Sequence, residues 1–399
     1  MSDSEPRKET RLAVVMYGGV SLAVYINGIA QELYRMVSAT GEPSGAPQQD
    51  SSWGTEPVYK KIRDMLKTRF VVDILSGTSA GGINGIFLAK ALANGQSTRS
   101  LEQLWLDEGN IEVLINDKKS IDSESKADVE YPKSLLNSDR MYNRLLRAFQ
   151  DMETSSPGKP MVDELDLYVT ATDLQGLPVP LKLADIVASE QDHRNTFHFH
   201  FKKDSEDDND FIQANNPFLA FAARCTSSFP FAFEPIRLED IPTDINHPQW
   251  KKFYEKYLLD PGHYDDQKKP HKHDLVDGKY DLFSKRCFAD GGYLDNKPFS
   301  YAINAIKSRS SDVPVDRKLV YIEPSPDETP DPFLIEEPPN AIENVGKVFS
   351  LATYETIRED LRRIIDRNRL IERVNRILKG TTEDFLKKGG TPSTAGDWN

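Results

Sequence analysis

The chain has 399 residues, and its net charge of −13 argues against a nucleic-acid partner, because such binding depends on cationic contacts to phosphate. An apolar fraction of 38% is enough to bury a core and excludes a disordered chain, and a mean hydropathy of −0.55 excludes an integral membrane protein. The only two cysteines, Cys225 and Cys287, exclude a disulfide framework and a cysteine-based zinc site and favour a reducing cytoplasm.

An uncharged stretch at residues 12–30 follows a basic start and has the outline of a signal peptide. Glycines and polar residues interrupt the stretch, and it lacks a clear small-residue cleavage site. We therefore predict a buried strand at 12–16, a glycine turn and a buried helix at 22–37. The polar residues 1–10 are predicted to be disordered.

The later segments alternate between strand and helix patterns. Strands are predicted at 70–75, 165–173, 196–201 and 318–323, helices at 83–93, within 107–160 and from about 340 to 387, and a loop at 40–57. This order predicts an α/β fold with a mostly parallel central sheet. We assign residues 11–340 to one domain with an irregular insertion near 240–280, and residues 341–399 to a charged helical C-terminal extension.

Residues Gly77 to Gly81 fit the pattern G-x-S-x-G, and the predicted elements around them strengthen the match. A buried strand precedes the pattern and a helix follows it, the setting in which a sharp turn lifts the serine hydroxyl above a sheet. The glycines Gly77 and Gly81 keep the turn free of backbone clashes, and the helix N-terminus supplies N–H donors. Ser79 is therefore the candidate nucleophile.

A serine nucleophile needs a base, and the histidines are poorly placed to supply one. An α/β-hydrolase orders its triad with the histidine last, whereas all seven histidines here precede residue 274. A triad with an earlier histidine stays open. The alternative is a carboxylate, because Asp290 lies between a short apolar run and two glycines, where a turn at a strand end can direct it into a cleft. A plain Asp-Gly-Gly turn is the structural alternative.

Four sequence blocks in order resemble the patatin-like phospholipase family over roughly residues 11–325. The first two are the glycine turn Gly18-Gly19-Val20 and the G-x-S-x-G turn with its extra glycine at 82. The last two are Ala-Ala-Arg-Cys-Thr-Ser-Ser-Phe-Pro at 222–230 and Asp-Gly-Gly-Tyr-Leu-Asp-Asn-Lys-Pro at 290–298. The first block is similar to a bacterial patatin-related subgroup in which this domain opens a longer protein.

The resemblance implies a three-layer α/β/α sandwich with a mostly parallel central sheet. It implies a catalytic dyad of Ser79 and Asp290 and requires neither a metal nor an organic cofactor. An oxyanion hole is also implied, built from the backbone N–H groups of Gly18, Gly19, Val20 and Ala80.

The first block departs from the usual family sequence Asp-Gly-Gly-Gly-x-Arg-Gly. Met16 replaces the aspartate and Tyr17 replaces the first glycine. Ser21 replaces the arginine, and Leu22 replaces the last glycine. Two glycines remain, so their backbone N–H groups can still face an oxyanion, but the contribution of the arginine is missing.

We therefore expect a serine lipid acyl hydrolase of phospholipase A type. Its expected substrate is a membrane phospholipid or lysolipid, reached from the cytoplasm by transient peripheral contact with the membrane. One alternative is a carboxylesterase or thioesterase for a soluble acyl substrate. Another is a catalytically weak regulatory or interaction module on a patatin scaffold.

Two further features have structural as well as functional readings. The pairs His198-x-His200 and His271-x-His273 have the spacing of metal ligands on one face of a strand, but exposed histidines are commoner, so we predict no metal. A basic amphipathic helix is predicted from Ile357 to Lys379. It can contact anionic lipid, a partner or a further domain, or simply pack as a surface helix.

Overall fold

A computed structural model describes the chain in segments, and the account below concerns these residues: 8–19, 23–41, 54–108, 111–121, 133–154, 158–182, 187–241, 285–311, 313–323, 340 and 358–387. The chain divides into two units, Met1–Glu355 and Thr356–Asn399. This boundary lies beyond the one predicted at residue 340, and residues 341–357 lie outside the described segments. The predicted insertion near 240–280 lies almost wholly outside them as well.

The first unit alternates strands and helices, as the sequence predicts. Its elements in order are β1 Lys8–Met16, α1 Ala23–Thr40, α2 Glu56–Leu66, β2 Thr68–Gly77, α3 Ala80–Asn94, α4 Arg99–Glu108, α5 Ile111–Leu114, α6 Ser138–Glu153, β3 Glu164–Lys182, β4 Val187–Lys202, α7 Asn216–Thr226, β5 Ile236–Arg237, β6 Cys287–Asp290, α8 Phe299–Ser308 and β7 Val315–Ile322. The described part of the second unit is the helix α9, Arg358–Lys387.

Four parallel strands, in the order β3, β2, β1 and β7, form the larger part of a seven-stranded sheet, and β7 lies at its edge. Val14 of β1 pairs with Val320 of β7 on one side and with Leu75 of β2 on the other, and Leu75 in turn pairs with Leu167 of β3. The remaining strands are antiparallel to their neighbours, β4 and β6 to β3, and β5 to β6. The predicted mostly parallel sheet is confirmed.

β2 and β6 lie one after the other along the same edge of β3. Val169 of β3 pairs with Gly77 at the end of β2, and with β4 on its other edge. Ala171 pairs with Asp290 at the end of β6, and again with β4 on its other edge. Because a strand has only two edges, β6 continues the row that β2 begins, and it runs in the opposite direction. The C-terminal ends of β2 and β6 therefore meet.

Helices cover both faces of the sheet, because successive side chains of a strand point to opposite faces. On one face Leu167 contacts α3 so closely that a Cβ on Gly85 would lie 3.2 Å from its Cδ1 atom. On the other face Tyr168 stacks with Tyr301 of α8, with ring centroids 5.6 Å apart. The first unit is thus the three-layer α/β/α sandwich that the resemblance implied.

β1 begins earlier than predicted, at Lys8, so the prediction that residues 8–10 are disordered is wrong. The polar start of this strand is stabilised by charged partners. Glu9 is only 8% exposed, and its carboxylate accepts hydrogen bonds from Arg11 at 2.7 Å and from Arg69 of β2 at 3.5 Å. Polarity misleads here because an ion-paired strand end can be as well ordered as an apolar one.

α2 begins inside the segment predicted as a loop at 40–57. It starts at Glu56 with Pro57 in its first turn, where proline is tolerated because the first N–H groups of a helix have no intrahelical partner. The predicted amphipathic helix of the second unit is confirmed as α9 over its described residues. Most of the apolar side chains described on this helix are exposed, among them Leu370 at 59% and Ile377 at 61%.

A buried ion pair joins α3 to α6. Lys90 is fully buried, and its ammonium contacts the Glu153 carboxylate at 2.7 Å and donates to the Phe211 carbonyl at 2.7 Å. Burial lowers the pKa of Lys90, although Glu153 opposes that shift. The pair therefore fixes two helices of the same layer at a site where either partner alone would be poorly solvated.

We expect Lys90→Ala to lower the free energy of unfolding by about 3 kcal/mol, because it removes the cation paired with the Glu153 carboxylate and leaves neutral donors, Gln96 to that carboxylate and Asn94 to the Phe211 carbonyl. Lys203→Ala is the matched control, because its ion pair with Asp163 at 3.3 Å is exposed on both sides. That change should cost less than about 1 kcal/mol. Urea denaturation measures both, and equal costs would contradict a stabilising role for the buried pair.

Candidate active site

Ser79 occupies a strained turn between β2 and α3. Its backbone angles are φ 53° and ψ −125°, which is uncommon for a residue with a side chain. Gly77 and Gly81 make the turn possible. A Cβ on Gly77 would lie 2.5 Å from the Gly81 carbonyl oxygen, and one on Gly81 would overlap the carbonyl of Met16. The structure therefore has the strand–turn–helix arrangement that the G-x-S-x-G pattern predicts.

A hydroxyl from another helix holds the Ser79 backbone in place. The Ser79 N–H donates to Thr226 Oγ1, at the end of α7, at 2.7 Å. The neighbouring Thr78 hydroxyl lies 2.6 Å from the Thr170 hydroxyl and donates to the Asp295 carbonyl at 2.8 Å. Local sequence patterns assign no role to Thr170 and Thr226, because these two residues are brought to the turn only by the tertiary fold.

Asp290 ends β6 and is 1% exposed. Its carboxylate Oδ1 accepts a hydrogen bond from the Gly292 N–H at 2.7 Å, and its backbone is held by Thr172 and Ser228. Oδ2 is buried and accepts no fully formed hydrogen bond from the described part of the chain, yet the Ser79 hydroxyl is close enough to lower the carboxyl pKa. A loose contact of this kind is common in a catalytic pair that has no substrate.

Burial raises the pKa of Asp290 from 3.8 to about 7. The Gly292 N–H, the Ser79 hydroxyl and the positive charge of Arg224 each lower this pKa and so limit the rise. A carboxylate with a pKa near neutrality takes up a proton more readily than an ordinary aspartate does. The environment thus makes Asp290 more basic than an ordinary aspartate, a property typical of groups that exchange protons near neutral pH.

The glycine turn after β1 lies against the serine. A Cβ on Gly18 would lie 3.1 Å from the Ser79 Cβ, which places this backbone beside the nucleophile. The Gly18 N–H, however, donates to the Asn296 carbonyl at 3.3 Å, so in this structure it does not face an incoming oxyanion as predicted. Ala80 begins α3, so its N–H has no partner within the helix. Val20 lies outside the described residues, whereas Gly19 is described and partly exposed.

Arg224 is a fully buried cation between α7 and α6. Its guanidinium donates to the Ser138 hydroxyl at 2.9 Å and lies over the Phe233 ring, 4.5 Å from the centroid. Ser138 in turn donates to the Glu234 carboxylate at 2.7 Å. Burial lowers the pKa of Arg224, and Glu234 is the largest of the charges that oppose this shift. Arg224 therefore orders the wall behind Asp290, and its positive charge raises the electrostatic potential at the Asp290 carboxyl.

The three histidines in the described segments contact other carboxylates and carbonyls instead of Ser79. His198 and His200 both contact Asp166, and His193 Nδ1 lies 2.8 Å from the Asp173 carbonyl. The structure therefore brings the predicted carboxylate to the serine and places these histidines elsewhere. The four other histidines lie in segments outside the description.

A strained serine lies at a strand–turn–helix junction, beside a buried carboxyl and a glycine turn, and this arrangement is typical of α/β serine hydrolases. The sequence matches the family described as patatin-like phospholipase over residues 14–303, so the chain belongs to that family. The family is one of lipid hydrolases.

A curated relative extends far beyond this chain. The chain is 28% identical over 380 residues to the uncharacterized membrane protein Rv3479 of Mycobacterium tuberculosis. The alignment covers 90% of the chain but 32% of the relative, so the chain spans about a third of that protein's length. Within the described segments, no helix combines the length and the apolar character needed to cross a bilayer.

We expect Asp290→Asn to stabilise the fold, and more so at higher pH. The unfolded carboxyl ionises near its ordinary pKa of 3.8 and the folded one near 7, so wild type loses stability relative to the variant between these values. The difference in free energy of unfolding between Asp290→Asn and wild type should grow by at most about 1.4 kcal/mol per pH unit and level off above pH 7. Denaturation of both proteins from pH 4 to 8 measures it, and a variant less stable than wild type at pH 8 would contradict the burial cost.

Proposed function

We propose that the protein hydrolyses fatty-acyl esters of phospholipid or lysolipid through Ser79 and Asp290. The observation that supports this most is the buried Asp290 carboxyl, with a pKa of about 7, beside the strained Ser79 turn. Membership of the patatin-like phospholipase family supports the lipid class of substrate. Acyl-ester hydrolysis by such a pair requires no metal or organic cofactor.

The reaction proceeds through an acyl-enzyme. Ser79 Oγ attacks the ester carbonyl carbon while its proton passes to Asp290. The C–O bond to the alcohol then breaks, and the alcohol leaves with that proton. Water next attacks the acyl carbon, gives a proton to Asp290 and releases the fatty acid, and the proton returns to Ser79. Each attack produces an oxyanion. We propose that the backbone N–H groups of Gly19, Val20 and Ala80 donate hydrogen bonds to it, joined by the Gly18 N–H once that group leaves the Asn296 carbonyl.

Burial makes Asp290 suited to both proton transfers. At its pKa of about 7, the carboxyl is half ionised at neutral pH, so it can accept the serine proton and return it to the leaving alcohol. Each N–H donor to the oxyanion contributes about 3 kcal/mol to transition-state stabilisation. The Gly18 N–H is already bonded to the Asn296 carbonyl, which favours a second candidate function, a catalytically weak regulatory or interaction module. Labelling of the serine distinguishes this module from an active hydrolase.

We expect a fluorophosphonate probe to label wild type and to leave Ser79→Ala unlabelled, because only an activated serine reacts. Wild type should also release fatty acid from mixed phospholipid vesicles, while Ser79→Ala and Asp290→Asn release at least about 1000-fold less. Below pH 7 the wild-type kcat/KM should rise about tenfold per pH unit and then level off, following ionisation of Asp290.

The stability measurements on Asp290→Asn serve as the folding control for these assays. Substantial release by either variant would refute the dyad. Labelling without release would indicate a soluble ester or thioester substrate, and absence of labelling in a folded protein would support the module alternative.

Phe231 offers a contact with the lipid surface near this site. We propose that the contact is made from the cytoplasmic side of the membrane. Its ring is 76% exposed although its backbone has a positive φ of 67°, and strain at an exposed aromatic residue indicates a function outside the core. Its carbonyl accepts a hydrogen bond at 2.8 Å from Leu135, which is 57% exposed. The Ser228 carbonyl accepts a hydrogen bond from the Asp290 N–H, and Phe231 follows Ser228 by three residues. The Phe231 Cα therefore lies within about 11 Å of the Ser228 Cα at the wall of the site.

We expect Phe231→Ala to reduce fatty-acid release from zwitterionic phospholipid vesicles several-fold, because it removes apolar surface that inserts between lipids. Hydrolysis of a short-chain soluble ester should stay unchanged. Met65→Ala on α2 is the matched control, because that side chain is apolar and 82% exposed. Equal losses on both substrates would indicate a structural role for Phe231, and no loss on vesicles would contradict the membrane contact.

A further inference from the structure

Three metal-binding side chains converge on the paired strands β3 and β4. Asp166 Oδ1 lies 2.7 Å from His198 Nε2 and 2.8 Å from His200 Nδ1. All three ligand atoms lie within 4.8 Å of one another. The histidines occupy alternate positions of β4, so they share a face, and the register of the sheet places Asp166 directly opposite His200.

The surroundings fix the side chains of Asp166 and His198 and the backbone of His200. Arg309 donates to the other Asp166 oxygen, Oδ2, at 2.6 Å and so orients Oδ1 toward the histidines. Asp210 accepts from the His200 N–H at 2.8 Å and donates its own N–H to the His200 carbonyl at 3.0 Å. The His198 ring stacks on Tyr168 with centroids 4.4 Å apart. Partners that orient the ligands in this way are what a metal site needs behind its first shell of atoms.

We propose that Asp166, His198 and His200 bind a divalent cation of the zinc class, a site separate from the hydrolytic one. Two imidazoles and one carboxylate are ligands that suit Zn²⁺ in a tetrahedral arrangement. Bonds of about 2.0–2.1 Å would separate the ligand atoms by about 3.3 Å, so the two contacts of Asp166 need to open by only about half an ångström. The side chain of His198 is 39% exposed, so water can complete the coordination.

The site lies far enough from Asp290 to act independently of ester hydrolysis. Asp290 pairs with Ala171, five residues along β3 from Asp166, a separation of about 16 Å at 3.3 Å per residue. Among the described strands, β4 pairs with β3, and a cation at this site would link β4 more firmly to the central strands. Its effect is therefore on the stability of the strand pair, because a cation that binds only the folded state stabilises it.

The test is zinc uptake by the untagged full chain after removal of metal with a chelator. We expect isothermal titration calorimetry to give one equivalent of Zn²⁺ per chain, and cobalt to give the visible absorption of a tetrahedral site. Zinc should also raise the Tm. His198→Ala and His200→Ala should each weaken zinc binding by at least about 100-fold, because loss of even an outer partner of a metal ligand costs about 10–100-fold.

Two controls separate this site from other histidines. His193→Ala removes a histidine of the same strand pair that contacts a carbonyl instead of Asp166, and it should bind zinc as wild type does. A double variant, His271→Ala with His273→Ala, should also retain the site. The proposal would be overturned if wild type took up no zinc, or if uptake persisted in both His198→Ala and His200→Ala. Neither result can be explained by the misfolding of one variant. Uptake lost only in the His271 and His273 variant would overturn it as well.

Discussion

The candidate active site depends on one constraint, the sharing of a single edge of β3 by two strands that run toward each other. Gly77 of β2 pairs with Val169, and Asp290 of β6 pairs with Ala171. Ser79 follows the end of the first strand by two residues, and Asp290 is the last residue of the second. Serine and carboxylate therefore meet because of backbone pairing, and any shift in the register of β3 would separate them.

Hydroxyl groups turn this backbone arrangement into a rigid site. Thr78 and Thr170 bind each other and the Asp295 carbonyl, so the turn after β2, strand β3 and the loop after Asp290 share one network. Thr226 binds the Ser79 N–H and connects the same turn to α7. The network satisfies backbone groups that would otherwise be buried without partners, and it offsets the strain at Ser79.

The sequence predicts those parts of the fold and the site that local patterns encode. A buried strand, G-x-S-x-G and a helix are contiguous, so Ser79 and its turn could be predicted, as could the strand end at Asp290. The pairing of Asp166 with two histidines could not, because it depends on the register of β4 on β3 across more than thirty residues. The roles of Thr170 and Thr226 and the engagement of the Gly18 amide likewise depend on contacts between distant segments. The ordered start of β1 was missed because its charges are satisfied by Arg69 of another strand.

Burial brings the pKa of the Asp290 carboxyl close to that of the histidine that acts as base in Ser-His-Asp hydrolases. An aspartate in water has a pKa of 3.8 and is a weak base at neutral pH, whereas the buried Asp290 carboxyl has a pKa of about 7. That change requires the fold to bury a group that ionises, a cost that the surrounding hydrogen bonds and the charge of Arg224 only partly offset. The same partners that would make burial cheaper would also lower the pKa. On this view the incomplete hydrogen bonding of Oδ2 is what keeps Asp290 basic, and the stability that it costs the fold is inseparable from the activity that we propose.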